Sequence, residues 1–581
     1  MKSPQQFLEE RVAAAVRQLF AGSSASVAEG TASIKPCADP RHGDFQSNVA
    51  MVQGKALGRN PREVAAELAA LLPEDEATLA PVIAGPGFLN FTLKPGYLNG
   101  ALMTARAEGR LGVEPAAKPR TVVLDFSGPN IAKEMHVGHI RSTILGDALA
   151  RINRFLGHRV ITDNHLGDWG TQFGKILLGY KRHGNEAELA ARPIEHLEAL
   201  YQQIHEASKT DEAIQEEARK ELLRLQQGDA ESLKLWERFI AATKAELDKI
   251  YTRLEVRFDE TLGESAYNDR LDAVVRKLEA KGIARRSEGA VVVFFDQPGD
   301  AKELADKPFL IQKSDDAFLY ATTDLATVQY RVEKFAADAL IYVTDGRQQL
   351  HFQQLFATVR KWGICPDLGL EHVWFGAILG EDKKPLKTRE GKPVKLRELL
   401  DEAEARALAL IDEKRPGLPE AQRREIARVV GIGALKYGDL GQNRNLDYVF
   451  NWNKMLAFDG NTAPYLQNAY VRIRSMFRKG EAAIPPAETP IALTEAAELA
   501  LAKRLLGFGE TVRLAAAENR PHLLCVWLHE LATAFHQFYE ACPVLKAEPA
   551  TRLSRLALCA LTADALKLGL ELLGIGVVEE M

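Results

Sequence analysis

One stretch, residues 121–164, constrains the fold of this chain more than any other. It opens with TVVLDF, a short β-branched apolar run that suits a buried parallel strand. A polar turn, SGPNIAKEMHVGH, leads into IRSTILGDALARINRFLGH. There Ile140, Ile144, Leu145, Leu149, Ile152 and Leu156 fall on one helical face. RVITDN supplies the next strand. Strand, glycine-bearing turn, helix and strand make a βαβ unit, whose ligand groups belong at the carboxyl ends of the strands.

Farther on, VVVFF, AFLYATTDLATVQYRV and ALIYVTD repeat the alternation, so a split, doubly wound (Rossmann-like) parallel sheet is expected over 118–400. The dense Glu, Lys, Arg, Leu and Gln of 185–255 read as an inserted helical hairpin with a solvated charged face. Residues 1–110 read as a small α+β domain. Phe7, Val12, Val16 and Leu19 share one helix, NPREVAAELAALL carries Pro61 in the first turn of another, and VIAGPGFLNFTL is strand-like. GVEPAAKPR is a linker. Residues 401–454 read as connecting helices and 455–581 as an all-α bundle, in which Leu524, Trp527, Leu528, Leu531 and Phe535 form an apolar stripe.

Composition excludes other classes. The 581 residues carry 74 Lys+Arg against 79 Asp+Glu, and 26 % are charged, a soluble globular mix rather than a disordered one. No apolar run approaches the ~20 residues of a membrane span. Glu9, Glu10 and Arg11 fall within helical periodicity, unlike a secretory leader. Cys37, Cys365, Cys525, Cys542 and Cys559 are odd in number and contain no C-x-x-C pair, which fits a reducing cytoplasm. The net charge of −5 leaves room for a nucleic-acid partner, because phosphate binding depends on local basic patches.

His136 and His139 stand where strand meets helix, a place where free N–H groups and the positive end of the helix dipole favour an anion. Gly138 between them lets a flat purine approach the backbone, and the imidazoles offer hydrogen bonds to phosphate oxygens. A metal pair is the weaker reading, since no third ligand accompanies H-x-x-H, and no metal site is expected. No G-x-x-x-x-G-K-[ST] occurs, so this is not a P-loop.

HVGH preceded by SGPNIAKEM resembles the HIGH signature of class I aminoacyl-tRNA synthetases, in the form found in arginyl-tRNA synthetases. DNHLGDWGTQFGK, ALKYGDLGQNRNLDYVFNWNKMLAFDGNTAPYLQNAY and GDFQSNVAM extend the resemblance over nearly the whole chain. It implies ATP-dependent attachment of L-arginine to tRNA(Arg) through an arginyl-adenylate. Mg²⁺ would accompany ATP without a dedicated protein cage, initial transfer would go to the 2′-hydroxyl, and a cytoplasmic monomer is expected. After a strand-like HVWFGAIL, KPLKT, Lys384 to Thr388, followed by Arg389, resembles a degenerate KMSKS loop. In-line attack on the α-phosphorus builds charge on phosphate oxygens, so cations there lower the barrier. Lys387 is assigned to the transition state, with Lys384 and Lys133 assisting. Gly167 and Asp168, beside Trp169 and Gly170, are placed by resemblance at the ATP site.

An arginine side chain presents five donors and no acceptor, so its pocket needs acids. The resemblance places arginine binding on Asp125, Asn130, Tyr320, Asp324 and Gln348. Tyr320 and Asp324 are four apart, hence on one face if helical, and Asp324 is the natural bidentate partner. Such a pocket rejects lysine, because buried acceptors would be left unpaired. His351 reads as a structural histidine. In NAYVRIRSMFRK basic residues alternate with aromatic ones, which suits phosphate contact and base stacking. Arg472, Arg474, Tyr465, Asn468 and Phe538 are the tRNA-binding candidates of a domain resembling the family's anticodon-binding bundle. The amino-terminal domain resembles the family's additional domain, which contacts the outer corner of tRNA.

Overall fold

A computed structural model describes residues 2–21, 33–37, 39–387 and 393–581. Its central sheet holds four parallel strands, β1 (Thr121–Phe126), β2 (Arg159–Asp163), β3 (Ala339–Val343) and β4 (Gly369–His372). Their order is β4-β3-β1-β2. The chain leaves β1 toward β2 and returns later as β3 on the opposite side of β1. The crevice at the carboxyl ends of β1 and β3 is therefore the topological switch point where such sheets take ligands. Register places Tyr342, Asp125 and Asp163 side by side across β3, β1 and β2.

Two segments depart from the sequence reading. VVVFF does not join the parallel sheet: Ala290–Val293 is the middle strand of an antiparallel trio with Ala284–Ser287 and Phe309–Gln312. A β-branched run satisfies either kind of sheet, and only the partner strands decide. HVWFGAIL is also no single strand, since only His372 belongs to β4 and Ile378–Leu379 pairs elsewhere, with Tyr448–Val449.

The helix after β1, Val137–Phe155, is buried on nearly every face. All six predicted apolar positions are inside, and so are Arg141, Ser142, Thr143 and Asp147. Beyond the sheet it meets the helices Leu396–Lys414, Glu420–Leu440, Phe508–Ala517 and Pro549–Leu572. Gly146 permits its closest approach to β1: a Cβ there would stand 2.1 Å from Phe126 Cγ, inside any van der Waals distance.

The insertion is larger than a hairpin, comprising helices Glu186–Ala191, Pro193–Ala207, Glu212–Gln226 and Ala230–Arg253. Its last helix buries Phe239, Thr243, Leu247 and Tyr251, so one side is structural and not solvated. The amino-terminal domain sets a four-stranded antiparallel sheet against helices that include Pro4–Leu19 and Pro61–Ala70, the latter with Pro61 in its first turn and Asn60 as cap. At the other end, helices from Ala463–Lys479 to Pro549–Leu572 form a bundle, and the stripe from Leu524 to Phe535 lies in its core. Among the described residues no helix is long and apolar enough to cross a membrane.

Candidate active site

The turn after β1 is held in an uncommon shape. Ser127, Gly128 and Ala132 have φ of 74°, 55° and 60°, a region that costs ordinary residues on the order of 1–2 kcal/mol. Hydrogen bonds over-determine it. Ser127 N donates to Ser142 Oγ (2.8 Å), Gly128 N to Asn164 Oδ1 (3.1 Å) and Ala132 N to Thr243 Oγ1 (3.3 Å). Ser127 Oγ also lies 2.8 Å from Tyr251 Oη and 2.9 Å from Thr143 Oγ1. Thr243 and Tyr251 belong to the insertion, which therefore buttresses the turn.

His136 caps the helix: its Nδ1 accepts from Gly138 N at 3.0 Å, and His139 Nδ1 accepts from His136 N at 3.1 Å. The rings lie 4.1 Å apart, centroid to centroid. With both Nδ1 atoms accepting, each neutral ring carries its proton on Nε2, which is then a donor. Burial, then the charges of Arg347 and Lys133, depress the pKa of His136. Burial and the His136 ring lower that of His139 to about 4. The pair acts as neutral donors. Gly138 leaves room for the ring, because a Cβ there would come within 2.8 Å of His136 Cε1.

Lys133 Nζ stands 5.6 Å from the Tyr201 ring centroid of the insertion. Lys384 and Lys387 are exposed on a narrow hairpin in which Leu379 pairs with Pro385 and Lys387 with Pro393. Its return strand is tied to the histidine turn: Val137 N donates to Val394 O (2.9 Å) and Leu396 N to Met135 O (2.9 Å). The segment that pairs with Lys387 thus continues along the edge of the histidine turn. Thr388 and Arg389 lie outside the described residues.

The acid-lined side of the crevice is built on helix Tyr320–Phe335. Tyr320 is 64 % exposed at its start, and Asp324, one turn on, is within 2.6 Å of His351 Nε2. His351 also packs against Tyr320, with centroids 5.0 Å apart, so this histidine orients both predicted arginine contacts. Asn130 and Gln348 are exposed at the ends of β1 and β3, where Gly167 packs against the Asn130 side chain. Asp125 is buried, and its carboxylate accepts from Arg331 at 2.6 Å.

Asp168 is not a free group at an ATP site. Its carboxylate accepts from Ser265 N (2.8 Å) and Ser265 Oγ (2.7 Å), holding the turn that carries Glu264. Sequence reading missed Glu264. Burial, with Asp324 and Asp168 nearby, pushes its carboxyl up to about 7 against the opposing influence of His165. A partly buried acid within electrostatic reach of Asp324 and Asp168 favours a cation. Arg347, at the end of β3 and bidentate to Asp345 (2.8 and 3.0 Å), also went unmarked. No spacing in the sequence tied either residue to the crevice.

Comparison with known proteins decides between a nucleotide fold of unspecified use and something narrower. Family models match three regions: tRNA synthetases class I (R), catalytic domain, at residues 102–452; DALR anticodon binding domain at 466–581; and Arginyl tRNA synthetase N terminal domain at 6–93. The chain belongs to the arginyl-tRNA synthetase family. It is 46 % identical to the arginine–tRNA ligase of Laribacter hongkongensis over 588 residues, covering 99 % of each chain. Against that of Azotobacter vinelandii it is 48 % identical over 549 residues, covering 94 % of each. The arginyl-tRNA synthetase of Plasmodium falciparum superposes with a TM-score of 0.85 at 28 % identity, and that of Thermus thermophilus with 0.81 at 26 %, each over 100 % of both chains. Arginyl-tRNA synthetases charge tRNA(Arg) with arginine through an aminoacyl-adenylate, and the class uses ATP.

In the bundle of this synthetase, Phe538 is 0 % exposed and cannot stack on a base, so that assignment is withdrawn. An aromatic in the apolar half of an amphipathic helix packs before it binds. Arg474 is held by Glu579 at 2.9 Å. Tyr465, Asn468 and Arg472 remain partly or fully exposed, with the rings of His529 and His536 5.5 and 5.4 Å from Tyr465.

Proposed function

We propose the following division of labour for arginine activation and transfer. Arginine lies along helix Tyr320–Phe335, its guanidinium between Asp324 and Glu264 beside Tyr320, its ammonium toward Asp125 and Asn130, with Gln348 closing the crevice. ATP lies over the histidine turn. The arginine carboxylate attacks the α-phosphorus in line, the bond to the bridging oxygen breaks, and pyrophosphate leaves. Nε2–H of His136 and His139 donates to phosphate oxygens without reorganising, while Lys387, with Lys384 and Lys133, neutralises the charge on the leaving pyrophosphate. The terminal tRNA hydroxyl, the 2′ by class, then attacks the carbonyl and AMP leaves. The turn offers the imidazole Nε2–H donors and the Lys133 cation, a set that complements phosphates, while its acid Glu134 is paired with Lys395 and Arg397. Mg²⁺ would be held by the triphosphate rather than by these side chains.

The carrying observation is the pair of neutral imidazoles, each with Nδ1 accepting and Nε2 left to donate, beside an acid-lined crevice. Arginine-dependent ATP–pyrophosphate exchange, with and without tRNA, tests it. Exchange is expected only when tRNA is bound, and Asp324→Ala should abolish arginine use while sparing ATP binding. Normal charging of arginine by Asp324→Ala would refute the pocket. Tyr465, Asn468 and Arg472 are proposed to contact tRNA, with Arg474 in support. Residues 1–110, 118–400, 401–454 and 455–581 are proposed as tRNA-contacting, catalytic, connecting and anticodon-binding units of a cytoplasmic monomer.

A further inference from the structure

Arg331 is one of the largest side chains wholly inside the molecule, 1 % exposed. It lies on helix Tyr320–Phe335 seven residues beyond Asp324 and eleven beyond Tyr320, on the same face. That face descends from solvent to the end of the parallel sheet. There Asp125 of β1 and Asp163 of β2 sit at one register. A single nitrogen, Arg331 Nη2, donates to Asp125 Oδ2 at 2.6 Å and to Asp163 Oδ2 at 2.7 Å, and the guanidinium lies 5.3 Å from the ring centroid of Tyr342 on β3.

A buried arginine that serves stability alone satisfies its donors. Here Nε and Nη1 have no protein acceptor at hydrogen-bond geometry among the described residues, nor has Asp163 Oδ1 a donor. The site is rich in charge and poor in bonds. Without that cation two buried carboxylates would face each other one strand apart, and they could not both stay ionised. Burial pushes the Asp125 carboxyl up, and the Arg331 charge is the largest influence pulling it back.

We propose that Arg331 is a positioning residue for arginine activation, holding Asp125 as an anionic acceptor aimed at the substrate's ammonium end. This rests on the assignment of Asp125 to that ammonium. The seven-residue step from Asp324 to Arg331, ~10 Å of helix rise, suits an extended arginine lying between a guanidinium clamp and an ammonium clamp. The crevice then reads both ends of its substrate from one helix face, directly at Asp324 and through Asp125 at Arg331.

Two competitive inhibitors separate the ends. Agmatine keeps the ammonium and guanidinium, whereas argininic acid replaces the ammonium with a hydroxyl. In full-length enzyme Arg331→Met should raise the arginine KM and the agmatine Ki about tenfold, the value of one charged hydrogen bond. The argininic acid Ki and ATP KM should stay within about twofold of wild type. Equal weakening of both inhibitors, or of neither, overturns the proposal. Should Arg331→Met fail to fold, Arg331→Lys decides, since its shorter arm sits back from the carboxylates. The same selective rise, smaller but above about threefold, is expected, and a non-selective or absent effect overturns the proposal. Asp125→Asn run in parallel separates the two failures. If it shows no ammonium selectivity, the assignment of Asp125 falls and the proposal with it. If it is selective while Arg331 variants are not, only the role of Arg331 falls.

Discussion

The histidine turn and the lysine loop, proposed to meet the same phosphates, are built in opposite ways. The turn is bonded at nearly every residue, to Ser142, Asn164, Thr243 and the capping imidazoles. The loop carries Lys384 and Lys387 into solvent on a hairpin with a few backbone bonds, among them Gly380 N to Lys384 O at 2.8 Å and Leu386 N to Ile378 O at 3.0 Å. Donors that must be in place before reaction gain from rigidity, because no reorganisation is left for the transition state. Cations that meet a departing pyrophosphate gain from reach and release. The base of the loop is nonetheless stitched to the turn through Val394 and Leu396, so the loop is anchored on the rigid element.

The sharpest way to break this contrast is His139→Ala. Losing one preorganised donor is expected to cut kcat for activation by ~10²–10³, and opening the capping box should lower the melting temperature as well. Lys387→Ala should cut kcat by ~10–10² while leaving the melting temperature and the arginine KM unchanged. A comparable loss of thermal stability in both variants would show that the loop is as structural as the turn.

A third test concerns pH. The Glu264 carboxyl, raised to about 7, must be ionised to pair with a guanidinium, so the arginine KM should rise about tenfold per unit as pH falls below 7. Glu264→Gln should be weak and flat across the same range. Because the folded state favours the protonated acid, its contribution to stability is full below 4.5 and is lost as pH rises through 7. The unliganded Glu264→Gln protein should therefore melt higher than wild type at pH 8. His139 runs the other way: its contribution is present above 6.5 and lost as pH falls toward 4.

The smallest expected effect is that of Tyr251→Phe. It removes one hydroxyl from the network behind Ser127, and a loss of about 1 kcal/mol is expected in stability, with a fall of a few-fold in kcat. A kcat unchanged by Tyr251→Phe, measured beside an unchanged arginine KM, would mean that the insertion does not buttress the turn.

Much of this architecture is legible in the chain itself. β-branched runs, a capped amphipathic helix and the H-x-x-H between them specify a βαβ unit with an anion site, because those signals are local and periodic. Tyr320 and Asp324 could be paired from a four-residue step. What stayed hidden depends on distant partners. Glu264 follows the insertion, and nothing in ESAY marks it until Asp168 and Ser265 fold its turn against Asp324. Phe538 looked available because an aromatic in a helix reads alike whether it packs or binds. VVVFF looked like a central strand because β-propensity does not name its neighbours.

Local chemistry therefore determined which residues can donate, accept or carry charge, and where strand gives way to helix. Tertiary structure decided which of them meet. It spent Asp168 on Ser265, gave Asp125 an internal guanidinium, set Glu264 near Asp324 and Asp168, and turned both imidazoles into neutral Nε2 donors. The physical reason is range: periodicity and capping act over a few residues, whereas desolvation and charge pairing depend on groups that chain folding brings together from far apart in sequence.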